Sequence, residues 1–295
     1  MAKVHILGAG TPTPTAHRFG SSFVLELGDQ YLMFDCGPAT TWKLLKAGLF
    51  PTQIGYLFFT HHHFDHDVDY PCLLLTRWDQ SSGKEKQLEV FGPSPTEQFT
   101  FRLLDEKEGA FAPDWISRVN DPTSHSIFKR RGGTMPRKPP TTAVVAKDVG
   151  PGRIFSGRDW QVTAAVGDHA APWLDSLAYR VDTDAGSIVF MGDSVPCPAV
   201  LDLSKNADVI MACCWDHQER IDRYAAEFGT EGMPSTLDAG RFAQAAGAQK
   251  LVLIHVGHEL ARHGDMEKGI ADIAKVYDGQ IVFSEELMSF PMSRR

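Results

Sequence analysis

Residues 58–70 read FFTHHHFDHDVDY. A short apolar run ends in Thr60, and then four histidines (His61, His62, His63, His66) and three aspartates (Asp65, Asp67, Asp69) follow within a few positions. If 56–60 is a strand, the turn after it can aim the side chains of His61-x-His63-x-Asp65-His66 at one place. Imidazole and carboxylate donors together suit zinc, and also iron or manganese. A catalytic site needs further ligands from elsewhere in the chain. Three residues stand directly after apolar runs, where a sheet would open to solvent. His169 follows Val162–Val166, Asp193 follows Ile188–Met191 through Gly192, and His255 follows Leu251–Ile254.

The elements that must carry these residues are short strands. Val4–Leu7, Ser22–Leu27, Tyr31–Asp35, Tyr56–Phe59 and Leu88–Phe91 fill the first part of the chain. Trp160–Val166, Ser176–Asp182, Ser187–Met191, Val209–Cys213, Lys250–Ile254 and Gln280–Phe283 fill the second. Gly28-Asp29 predicts a hairpin turn. Helices are expected over Thr41–Ala47, Leu237–Ala246 (capped by Ser235 or Thr236) and Met266–Tyr277. Strand-rich halves closed by helices predict an α/β fold of sheets covered by helices, not one doubly wound sheet. Residues 105–158 collect Pro, Gly and basic side chains, as in FKRRGGTMPRKPP, and read as an inserted excursion: a solvated loop, a lid or an oligomer contact. The rest is taken as one domain spanning 1–295.

The 295 residues carry a net charge of −8, which argues against a general nucleic-acid binder. The N-terminus lacks the apolar stretch of a signal peptide, and no window reaches the roughly 18 apolar residues of a membrane span. Five scattered cysteines then read as reduced thiols of a cytoplasmic protein.

The order His61-x-His63-x-Asp65-His66, His169, Asp193 in MGDS and His255 in LVLIHVG resembles the metallo-β-lactamase superfamily. LGAGTPTPTAHRFGSS (7–22) and MFDCG (33–37) resemble the opening of its ribonuclease Z and arylsulfatase branch. The resemblance implies a four-layer αβ/βα sandwich, two mixed sheets flanked by helices, with two divalent metals at the sheet edge. Zn2+ comes first, with Mn2+ or Fe as alternatives. It implies that His61, His63 and His169 hold one metal, that Asp65, His66 and His255 hold the other, and that Asp193 bridges them. A hydroxide between two metals is a strong nucleophile near neutral pH, so hydrolysis would need no protein nucleophile.

Asp65 and His258 are the candidate catalytic groups. His258, three residues past His255, could replace it as ligand, donate a proton to the leaving group, or do neither. Trp215 and His217 follow the strand 209–213 and are the candidate substrate-pocket residues; Trp173 and Phe19 could join them. Asp35 could orient a ligand histidine from behind, or cap the turn at 39–41. His62 alternates away from its neighbours, Asp67 and Asp69 read as helix-start charges, and Cys213-Cys214 reads as a buried strand pair. Gly8-x-Gly10 fails as a dinucleotide motif, because Pro12 and Pro14 follow it.

Two departures separate this chain from the tRNA-cleaving branch that it resembles. The interval between His169 and Asp193 reads as a plain hairpin, with no room for the branch's tRNA-gripping arm. Ala212-Cys213 stands where a catalytic His-Glu pair is expected. The expected function is therefore metal-dependent hydrolysis of a small ester-like substrate, phosphodiester before aryl sulfate, lactone or carboxylic ester. The alternatives are a ribonuclease Z-like endonuclease that processes tRNA 3′ ends, with Lys129–Lys138 as a displaced RNA contact, and a non-catalytic metal-binding interaction module. The expected partner is a small molecule, with nucleic acid disfavoured, no membrane, and a homodimer left open.

Overall fold

Apolar runs separated by turns build two seven-stranded sheets. The computed structural model describes residues 2–229 and 233–292; residues 1, 230–232 and 293–295 of the expected 1–295 domain lie outside it. In the first sheet β1 (Ala2–Ala9), β2 (Ser21–Leu27), β3 (Gln30–Phe34), β4 (Ile54–Phe58), β5 (Leu88–Gly92) and β6 (Val144–Asp148) lie side by side in chain order. The second sheet holds β7 (Gly152–Ser156), β8 (Trp160–Val166), β9 (Leu177–Thr183), β10 (Gly186–Phe190), β11 (Val209–Cys213), β12 (Lys250–Ile254) and β13 (Gln280–Phe283), again in order. β14 (Ser289–Met292) returns to pair antiparallel with β1. Each sheet is mixed: β3 to β6 and β10 to β13 run parallel, and the remaining neighbours antiparallel.

Three apolar cores make four layers. Phe23, Phe34, Phe58 and Phe91 of the first sheet meet Val162, Tyr179, Phe190 and Ile254 of the second. On the outer face of the first sheet, Leu57 and Val90 pack against α1 (Thr40–Lys46), α3 (Tyr70–Gln80) and α4 (Thr96–Leu104); the one-turn helix α2 (Phe64–Asp67) precedes α3. On the outer face of the second sheet, Val189 and Leu253 pack against α7 (Pro198–Ser204), α9 (Thr236–Ala246) and α10 (Asp265–Ile273). The period of two decides this on β4: Phe58 enters the inter-sheet core while Leu57 and Phe59 enter the outer one. This is the expected four-layer αβ/βα sandwich.

Phe34 is the keystone of the inter-sheet core. Its ring stacks on Phe190 at 3.8 Å between centroids and on Phe58 at 5.2 Å. Phe34→Ala is expected to cost about 3–5 kcal/mol, as deletion of a buried ring does. A urea melt of the variant, with its midpoint lowered at unchanged slope, checks this.

Residues 105–158 differ from the expected excursion. They contain α5 (Ala112–Asn120), α6 (Pro122–Arg130) and the strands β6 and β7, which form the edges of the two sheets. The edge position explains why the pattern was weak: only Val144 of β6 and no residue of β7 is buried. Part of the basic stretch is structural. Arg137 lies 3.9 Å over the Trp78 ring and bonds Asp79 Oδ1 at 3.1 Å, and Arg131 reaches Asp79 Oδ2 at 3.3 Å. Helix α3 begins where the helix-start charges place it, with Asp69 at its N-cap; Pro71 sits in the first turn, where a missing N–H costs nothing. No helix among the described residues is long and apolar enough to cross a membrane.

Candidate metal centre

The seven expected residues converge at one edge of the paired sheets, each just past a strand end. β4 delivers His61, His63, Asp65 and His66; β8 delivers His169; β10 delivers Asp193; β12 delivers His255. Leu177 N bonds Thr60 O at 2.8 Å and the Tyr179 hydroxyl donates to Phe59 O at 2.8 Å, which locks the two sheets together behind this edge. Two backbone features fit the chain into it. Gly192, at φ +60°, makes the turn into Asp193, and a Cβ there would stand 2.9 Å from Thr60 Cβ. Gly37 lets the Asp65 carbonyl approach to where a Cβ would sit 2.2 Å from it. Asp35 (φ +58°) and His255 (φ +48°) adopt the left-handed region without being glycine. Such strain persists where the surroundings over-determine it, and it clusters at functional sites.

Two donor groups share Asp193. In one, His61, His63, His169 and Asp193 each offer an atom within 4.8 Å of the others; Asp65, His66, Asp193 and His255 form the second under the same limit. His63 Nδ1 lies 3.1 Å from His61 Nε2 and 3.2 Å from His169 Nε2. Asp193 Oδ2 is 3.8 Å from His61 Nε2, 3.9 Å from His169 Nε2 and 3.0 Å from His255 Nε2. His255 Nε2 stands 3.2 Å from Asp65 Oδ2, and His66 Nε2 stands 3.6 Å from the same oxygen. Donors at zinc-ligand bond lengths around a tetrahedral ion are separated by about 3.3 Å, and these distances bracket that value.

Polar bookkeeping points the same way. His66 Nε2, Asp65 Oδ1 and Asp193 Oδ1 are buried and make no hydrogen bond. A buried polar atom without a hydrogen bond costs about 1–3 kcal/mol, and a cation beside His66 Nε2 and Asp193 Oδ1, which stand 3.3 Å apart, would offset that cost. The opposite nitrogens are occupied. Asp35 Oδ2 accepts from His66 Nδ1 at 2.8 Å, Thr60 Oγ1 lies 3.0 Å from His61 Nδ1, and Cys213 Sγ lies 3.6 Å from His255 Nδ1. Each partner leaves the ring's Nε2 turned to the centre, the arrangement that orients metal-binding histidines.

Charges in the centre are strongly coupled. Burial opposes ionisation of Asp193, but His255 and His66 outweigh it and hold the carboxyl well below the usual range. Burial also disfavours a charged His66, but Asp193 and Asp35 outweigh it and raise its pKa well above the ordinary value. At His61, burial and then the charge of His66 win, and the pKa falls well below the ordinary value.

The remaining expected residues divide. Asp35 is behind His66, with its two oxygens also accepting from Thr60 N (2.7 Å) and Thr60 Oγ1 (2.9 Å). The Trp215 ring stands 5.9 Å from the His255 ring and is partly exposed, beside the centre. His217 faces α10 instead of the mouth: it is buried, with Nε2 3.4 Å from Asp265 Oδ1 and Nδ1 3.8 Å from Asp272 Oδ2. It occupies the residue before α8 (Gln218–Phe228), with its side chain directed to α10 instead of capping that helix. His258 belongs to neither donor group; it is exposed on the loop leaving β12, 3.1 Å from Glu259 Oε1. His62 turns away from the centre to other groups, as expected, pairing with Asp67 (3.1 Å) and Thr96 (2.8 Å). Thr60 and Cys213 are the supporting residues that the sequence reading missed. Adjacency to His61 was a signal for Thr60. Nothing local marked Cys213, whose neighbour comes from β12.

The metallo-beta-lactamase superfamily model matches residues 16–209, well over half of the chain. The chain belongs to the metallo-beta-lactamase superfamily. It is a metal-dependent hydrolase of that superfamily, and its donor groups lie where β4, β8, β10 and β12 end. Among curated relatives it is similar to a ribonuclease Z of Methanosarcina acetivorans, 27% identical over 320 aligned positions covering 100% of this chain and 99% of the relative. Its fold is similar to that of YhfI, a metallo-beta-lactamase fold protein from Bacillus subtilis (TM-score 0.72, 21% identity, 98% of each chain). It is also similar to human tRNase Z, short form (TM-score 0.69, 21% identity, 98% of this chain and 99% of that one). The ribonuclease Z relatives overturn the expectation of a small-molecule partner with nucleic acid disfavoured. The physical reason is that net charge sums the whole surface, whereas a nuclease needs only a local surface that accepts phosphate. The two departures remain in this superfamily member. β9 and β10 are joined through Asp184 and Ala185 alone, Ala212 is buried in the outer core, and Cys213 backs His255.

Proposed function

We propose that this protein is a metal-dependent RNA phosphodiesterase of the ribonuclease Z kind, cutting at the 3′ side of precursor transfer RNA. The observation that carries the reading is similarity to ribonuclease Z along the entire chain, with every donor position filled. We assign His61, His63 and His169 to one divalent ion, Asp65, His66 and His255 to a second, and Asp193 to both. Such an ion pair, when bound, activates water near neutral pH and neutralises charge on the phosphoryl oxygens.

The chain's own residues do the rest. Asp35, Thr60 and Cys213 hold three imidazoles so that Nε2 faces inward. Asp65 Oδ2 lies 3.2 Å from His255 Nε2 and Asp193 Oδ1 lies 3.3 Å from His66 Nε2, so both carboxylates turn an oxygen to the centre. Trp215 stands beside His255, its ring 5.9 Å from the imidazole, and we assign it to the wall of the substrate site. His258, exposed and paired with Glu259, is the group we assign as proton donor to the leaving oxygen.

The test is cleavage of a 3′-extended transfer RNA transcript by protein loaded with zinc or manganese. A single endonucleolytic cut is expected. It should vanish with chelator and return when the metal is restored. Intact RNA from protein shown to carry metal would overturn the reading.

A further inference from the structure

The centre is not equally open on all sides. The side chains of His61, Asp65, His66, His255 and Asp193 are 0–6% exposed, whereas that of His169 is 21% exposed and His63 is partly exposed. Substrate therefore enters past His63 and His169. Two large exposed aromatic residues adjoin these two donors in the chain. Phe64 directly follows His63 and is 52% exposed; Trp173 lies four residues past His169 and is 90% exposed. Neither ring stacks on another ring or a cation among the described residues, unlike the Trp42 ring, which Lys46 covers.

Trp173 stands on a held loop. Its N–H donates to Ala170 O at 3.0 Å, which folds it back toward His169. Gly167 N to Ser176 O (2.9 Å) and Val195 N to Asp168 O (3.1 Å) close the base of the loop. Asp168 N also donates to Oγ of Ser194, the residue after Asp193, at 2.9 Å. The main chain of Trp173 thus belongs to the same loop structure that carries His169 and meets the segment of Asp193, while its indole stays exposed.

We propose that Trp173 and Phe64 form a base-stacking subsite, taking unpaired nucleobases on either side of the scissile phosphate. This rests on the RNA-cleaving reading above. Single-stranded RNA is held by stacking bases on aromatic faces, because every base offers a π-face. Two uncovered rings at the mouth of a phosphodiesterase centre supply this without a basic arm.

The test compares two transcripts: one with its bases intact, and one with abasic riboses at the positions flanking the cut. Trp173→Ala should lower kcat/KM on the intact transcript by about tenfold or more, the size of one lost base–aromatic stack. The loss should appear mainly in KM. On the abasic transcript wild type and variant should differ by less than about twofold, and Trp173→Phe should recover most of the loss on the intact one. An equal loss on both transcripts would make Trp173 a support for the His169 loop and overturn the subsite. No loss on the intact transcript overturns it too, as does a Trp173 emission shift that follows protein concentration without RNA, which marks a contact between copies. If metal-loaded wild type cuts neither transcript, the RNA-cleaving reading itself has failed.

Discussion

Asp193→Ala is expected to abolish turnover and to empty both halves of the centre. Asp193 is the one residue common to both donor groups, and its Oδ2 lies 3.0–3.9 Å from imidazole nitrogens of His61, His169 and His255. Removing it subtracts a ligand from each ion and also the charge that balances them. Loss of a single charge-stabilising donor costs roughly 10²–10³ in rate, and loss of the shared ligand should exceed that. Metal content by mass spectrometry should fall well below that of wild type, while circular dichroism shows the fold retained. A variant that keeps two metals and more than about a tenth of the activity would refute the bridging assignment.

Asp35→Asn should weaken metal binding by about 10- to 100-fold, although Asp35 touches no metal in this account. The change is nearly isosteric, so packing is preserved. Asp35 Oδ1 accepts from Thr60 N, and Oδ2 accepts from Thr60 Oγ1 and His66 Nδ1. An amide that keeps the Thr60 N bond must turn its NH2 toward His66 Nδ1. That forces the proton onto Nε2, the atom facing Asp193 Oδ1 at 3.3 Å. A protonated Nε2 cannot act as a ligand. Competition against a fluorescent zinc chelator would measure the loss, concentrated in the weaker of two binding steps. Unchanged affinity would leave Asp35 as a turn residue only.

The centre was legible because each donor follows an apolar strand directly, so chain position revealed spatial position. Trp160–Val166, Val209–Cys213, Lys250–Ile254 and Gln280–Phe283 have the boundaries their patterns predict; of these Val209–Cys213 and Lys250–Ile254 are almost wholly buried apolar runs, and Trp160–Val166 alternates buried and half-buried residues. Where elements lie at the surface the pattern weakens. β6 and β7 are edge strands with mostly exposed side chains and read as loop. Helices α4, α5, α6, α7 and α8 were not read from the sequence, and with α8 went the direction of His217, which depends on how that helix starts. Cys213 beside His255 was out of reach for a different reason. Adjacent parallel strands create that contact, and strand order is not written in any local spacing. The expectation of a small-molecule partner leaned on the missing arm, the absent His-Glu pair and a summed charge of −8, and none of these describes the surface at the mouth.

The most direct test of the central claim is anomalous diffraction at the zinc edge from crystals of the zinc-loaded protein. Two peaks are predicted, one among His61, His63 and His169 and the other among Asp65, His66 and His255, with Asp193 between them. A single peak, or zinc bound outside these side chains, would contradict the account.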